Sequence, residues 1–114
     1  MRTAHFQRKP IIESQILSAG PLSKVTAIGR QFKLEEVTLH ASQAITETIV
    51  ITRDSANGAN YDTVLARRTL KAEADFVFRP QGECNFLAGD ELLVTCTNAS
   101  GLGTVYLEIK TSEM

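Results

Sequence analysis

The residues of this chain that could do chemistry are few: two histidines, two cysteines and some clustered carboxylates. A nucleophilic triad needs a Ser or Cys, a His base and an orienting acid in one cleft. His5 lies in an N-terminal stretch without periodicity, and His40 stands between Leu39 and Ala41, so on a strand it points to solvent. Neither is placed to act as a base. Two histidines are also too few for the His-rich metal cage of a cupin. The chain has no C-x-x-C pair, no glycine-rich phosphate loop and no H-E-x-x-H. No enzymatic activity and no cofactor are expected.

The remaining clusters have plainer explanations. Asp54, Asn57, Asn60 and Asp62 crowd one loop, and calcium takes oxygen ligands of this kind. Their spacing is not that of an EF-hand, and Asx side chains also close turns on their own backbone. Glu35-Glu36 and Asp90-Glu91 offer the carboxylates a glycosidase uses. Adjacent strand residues point to opposite faces, however, and Asp90 suits a turn. Arg67-Arg68-Lys71 is the one internal basic cluster, and no aromatics are interleaved to stack bases. Asn98-Ala99-Ser100 matches a glycosylation acceptor but reads as an ordinary loop without a secretory signal. If residues 89–91 close a hairpin, Cys84 falls opposite Cys96, within disulfide reach. Two reduced thiols packed as small hydrophobes are the alternative, favoured by a cytoplasmic setting.

At 114 residues there is room for one core, large enough to fold without metal or disulfide staples. A net charge of −1 gives no field for steering nucleic acid or an anionic membrane. The absence of Trp argues against a sugar-stacking platform, and no apolar run is long enough to span a bilayer. The N-terminus lacks the apolar stretch of a signal peptide, so assembly in a cytoplasm is expected.

Alternation positions these residues. In 70–78, Leu70, Ala72, Ala74, Phe76 and Phe78 would share one face, the period of a half-buried strand. Strands are also predicted at 11–17 and 22–28, split by the Ala19-Gly20-Pro21 turn, and at 32–41, where strand is preferred over helix. Within 32–41 the apolar phase slips, which a β-bulge near Glu35-Glu36 explains. The run 46–53, rich in threonine, turns Ile49 and Ile51 inward, and Asn57-Gly58 is a strong turn signal. Further strands follow at 63–66, 84–88, 92–97 and 105–109. The expected fold is all-β: an antiparallel β-sandwich, jelly-roll-like, of about eight strands. Residues 1–9 form a basic extended arm, or a frayed tail, and 10–114 form the single domain.

Four stretches carry a resemblance: Asp54…Tyr61-Asp62-Thr63-Val64-Leu65, Asp75-Phe76-Val77-Phe78-Arg79-Pro80, Leu87-Ala88-Gly89-Asp90-Glu91-Leu92 and Thr104-Val105-Tyr106-Leu107-Glu108-Ile109. This pattern, covering residues 46–110, resembles small all-β structural proteins of tailed bacteriophages. The resemblance implies a virion component, a capsid decoration or cement protein that bridges major capsid subunits, with self-association into dimers or trimers. Alternatives are a tail or fibre part, or a carbohydrate- or receptor-binding module. The pattern contains structural positions only and transfers no functional residue. On rigid β scaffolds loops and termini host binding. The expected contacts are therefore Arg2, His5, Phe6, Arg8 and Lys9 on the arm, with Asn57 to Tyr61 and Ala99 to Gly103 at the loop tips. Phe6 and Tyr61 would be the aromatic anchors.

Overall fold

The computed structural model describes residues 8–113. Nine strands follow one another: β1 (Ile11–Ile16), β2 (Leu22–Thr26), β3 (Phe32–Ile45), β4 (Thr48–Asp54), β5 (Thr63–Thr69), β6 (Glu73–Phe78), β7 (Asn85–Phe86), β8 (Glu91–Cys96) and β9 (Thr104–Glu113). A 3-10 turn, Ala59–Tyr61, lies between β4 and β5. The first sheet runs β1-β9-β3-β6, with β7 also paired to β3; the second runs β2-β8-β4-β5. Every pairing is antiparallel. The pairs β4–β5, β3–β6, β2–β8 and β1–β9 nest one inside another. The chain is thus one long hairpin, closed at the β4–β5 loop and rolled across two sheets. This is the all-β antiparallel sandwich that the alternation predicts.

Between the sheets sits one core. Ile49 and Ile51 of β4, Leu92 and Val94 of β8, and Val105 and Ile109 of β9 are fully buried. Each such side chain contributes about 1.5–3 kcal/mol by leaving water. Phe32 and Phe86 stack with ring centroids 4.6 Å apart and hold β7 against β3. The β3–β9 register shifts between Leu34 and Glu36, so the bulge expected near Glu35-Glu36 is present. It lets Leu34 and Val37 both face the core, where each is at most 1% exposed. At the two open sides of the sandwich, ion pairs join the sheets. Glu13 of β1 meets Lys24 of β2 at 3.6 Å, and Arg68 of β5 meets Glu73 of β6 at 3.1 Å.

Several expectations need correction. The alternating run 70–78 is not one strand: β5 continues through Arg67 and Arg68 to Thr69, and residues 70–72 turn between the sheets. Ala72 there has φ of +53°, a left-handed conformation that a strand residue does not adopt. Strand β6 begins only at Glu73. The hairpin expected around Gly89-Asp90 also fails to form, because β7 joins the first sheet and β8 the second. Cys96 lies opposite Leu22 and Ile49, and both Cys84 and Cys96 are free thiols. Burial pushes the Cys96 thiol up to about 11, helped by the nearby negative charge of Glu47, and burial also raises Cys84. These are packed hydrophobes rather than reactive groups.

Candidate protein-binding faces

The strand β1 is built inside out. Its pairing sets Ile11 beside the buried Ile109, Glu13 beside Leu107 and Gln15 beside Val105. Side chains alternate along a strand, so Ile12, Ser14 and Ile16 are left on the outer face. Ile12 is 72% exposed and Ile16 57%. Tyr106, next to Ser14 on β9, is half exposed, as is Leu102 in the loop leading to β9. Four large apolar side chains therefore run along one margin of the first sheet.

Across that sheet the outer residues form transverse rows. Ser14, Tyr106, His40 and Asp75 make one row; Ile12, Glu108, Thr38 and Val77 make the next; Lys110, Glu36 and Arg79 follow. His40 Nδ1 lies 2.7 Å from Asp75 Oδ1, and its ring stacks near Tyr106 with centroids 6.4 Å apart. His40 points to solvent, as its place on the strand predicts. Glu36 accepts a hydrogen bond from Arg79 Nε at 2.7 Å and faces Lys110 at 3.6 Å. That Arg79 bond, chiefly, holds the Glu36 carboxyl below the usual carboxylate range. Between β1 and β3, over β9, the rows open into a shallow depression of about 640 Å³ lined by Ile12, Ser14, Thr38, His40, Tyr106 and Glu108.

The outer face of the second sheet is different. Registers place Val25, Leu93, Thr52 and Val64 in one row and Ser23, Thr95, Val50 and Arg67 in the next, with Thr48 and Thr69 beyond. Val25 and Val64 are half exposed. Arg67 is the one charge in these three rows, and it makes no ion pair among the described residues; Asp54 and Glu91 stand at the far end.

Two buried carboxylates fix the loops around these faces. Glu47, in the β3–β4 connection, is 2% exposed. It accepts hydrogen bonds from Thr97 Oγ1 at 2.7 Å, Ala99 N at 2.8 Å, Ser100 N at 2.9 Å and Ser100 Oγ at 2.6 Å. Burial alone would raise this carboxyl; the donors, Ser100 and Thr97 foremost, outweigh it and lower the group below its ordinary value. Asp90 is 4% exposed and accepts from Ala56 N at 2.8 Å and Leu87 N at 2.9 Å. It is a crosslink between two loops, a larger role than the turn residue the sequence suggests. Gly89 beside it has φ of +92°, and a Cβ there would come within 3.1 Å of Ala56 Cβ.

Among the described residues the expected contacts fall on three segments: residues 8–9, the β4–β5 loop and the β8–β9 loop. Arg2, His5 and Phe6 lie outside the described residues. Arg8 donates its backbone N–H to Thr111 at 2.9 Å, and its guanidinium lies 3.7 Å from Glu113, so this end of the arm is pinned to β9. Lys9 is exposed. Asn57 and Tyr61 are exposed on the β4–β5 loop, where Asp62 Oδ1 accepts from Ser55 N at 2.8 Å across the loop and Ser55 Oγ accepts from Asn57 N at 3.0 Å. Among the described residues no three His, Cys, Asp or Glu side chains gather as a metal site, and no helix is long and apolar enough to cross a membrane. Sequence reading missed the Glu47 cage, the β1 margin and the sparsely charged second face.

No protein-family model matches the chain, and no curated protein matches it. A solved structure that it resembles is the core of Drosophila NLP, described as giving insight into pentamer formation and histone binding. The resemblance covers 91% of this chain and 98% of that one at 14% identity, with a TM-score of 0.49. The expectation of a capsid decoration or cement protein is corrected accordingly. Nothing in these comparisons supports a virion role, and the tail, fibre, carbohydrate and receptor alternatives gain no support either.

Proposed function

We propose that this chain is a non-catalytic building block, a rigid sandwich that works by binding protein and first of all further copies of itself. The nested hairpin is read as a jelly roll, a path that leaves two broad outer faces free. One observation carries the reading: β1 turns Ile12 and Ile16 outward and its polar Glu13 and Gln15 inward. A surface margin that also exposes Tyr106 and Leu102 is what an association site presents. The groups a reaction could use are otherwise engaged: Glu47 and Asp90 hold loops, and His40 pairs with Asp75 on an open face.

Sedimentation velocity of the full chain across a wide concentration range tests the reading. The expected result is a species heavier than the monomer whose share grows with concentration. A monomer throughout, even at high concentration, contradicts it.

A further inference from the structure

We infer that copies join head to tail, the second sheet's outer face of one chain seating on the β1–β9 margin of the next, with Arg67 entering the depression beside Tyr106 and Glu108. This inference rests on the assembly reading and names its contact. The two faces match in apolar character and in charge. The second face is a patch of Val25, Leu93, Val50 and Val64 among threonines, with a lone exposed guanidinium near its β5 edge. The first face offers apolar Ile12 and Ile16, an exposed phenol ring and a carboxylate.

A guanidinium suits that depression for three physical reasons. It stacks on a Tyr face, an attraction worth about 0.5–2 kcal/mol depending on desolvation. It pairs with a carboxylate through parallel N–H donors. Its weak hydration makes it the cation that interfaces bury at least cost. Glu108 is free to answer it, because its present partner Lys110 stands 3.8 Å away and also faces Glu36 at 3.6 Å. Ser14 and Thr38 hydroxyls on the rim supply acceptors for the remaining donors.

Neither face suits its own copy as well. A two-fold pairing of second faces would set Arg67 against threonine and valine without a carboxylate. Pairing of first faces would press two lattices of already paired charges together and strip them of water, with no unpaired cation to answer Glu108. Unlike faces give a heterologous contact, which closes into a ring or continues as a chain according to the rotation between copies.

A charge swap tests the contact by sedimentation equilibrium on the full chain. Arg67→Glu and Glu108→Arg should each weaken self-association about tenfold or more, and the two together in one chain should bring it back near the wild type. Both positions are on outer faces, so melting curves should stay within a few degrees. Where either variant melts early, Arg67→Ala and Glu108→Gln are measured in its place, with the same weakening expected. An oligomer indifferent to both single substitutions, or a double variant no better than the singles, overturns this contact while leaving the assembly reading standing. A monomeric wild type overturns both.

Discussion

The two outer faces of this sandwich share one core and one backbone geometry, yet their side chains differ in kind. On the first sheet, Glu36 pairs across strands with Arg79 and Lys110, and His40 with Asp75, while Glu108 has among the described residues only a 3.8 Å contact to Lys110 of its own strand. The charge lattice is interrupted by the apolar β1 margin. On the second sheet, three successive rows hold threonine, serine, valine and leucine with one arginine. A face whose charges are mutually paired has little left to offer a partner except at its gap. A face nearly without charge loses little on desolvation, and depletion of charge is what marks the centre of interfaces. In the proposed assembly the two sides have different tasks: one is a socket at its margin, the other a broad plug.

The largest effect should come from beneath both faces. Glu47→Ala removes the acceptor of four hydrogen bonds and strands buried donors, a loss of about 3 kcal/mol in urea unfolding. A loss below about 1 kcal/mol would show that the cage is idle. Its pH dependence has a definite sign. The folded Glu47 carboxyl lies below its ordinary value of 4.5, so its contribution is present above that value and fades as pH falls through the lowered one. Glu47→Gln should therefore flatten the acid limb of stability measured against pH; an unchanged limb would place the acid sensitivity elsewhere.

The next effect separates the faces. Val25→Asp puts a carboxylate into the apolar part of the second face and should abolish self-association by light scattering, while stability shifts by less than about 0.5 kcal/mol because Val25 is half exposed. Retained association would break the comparison at its centre. The smallest effect sharpens it: Glu13→Ala cuts the partly exposed ion pair to Lys24 and should cost about 0.5 kcal/mol, seen as a small fall in Tm. A large fall would mean that the open side of the sandwich depends on that pair.

Much of this was legible from residue order alone, for a physical reason. Period-two alternation gave the inward sets of β4, β8 and β9, because each strand has one buried face and its neighbours in sequence decide the phase. The slip at Glu35 was legible because a bulge leaves a break in that phase. What failed depends on partners distant in sequence. The segment Ile11-Ile12-Glu13-Ser14-Gln15-Ile16 has apolar residues in both phases, and only pairing with Ile109 decides that Ile12 faces out. The Gly89-Asp90 turn has the chemistry of a hairpin, yet the chain uses it to cross between sheets. Glu47 could not be recognised because its donors lie about fifty residues downstream. The candidate faces were invisible for the same reason: a transverse row takes one residue from each of several strands.

One mixing experiment tests most directly the claim that unlike faces meet. Val25→Asp disables the second face of a chain and Ile12→Asp disables the margin of the first, and each variant alone should be monomeric. Mixed in equal amounts they retain one intact contact, the sound margin of one against the sound face of the other, so sedimentation velocity should show a discrete heterodimer. A mixture that stays monomeric, with the wild type associated, would contradict the account.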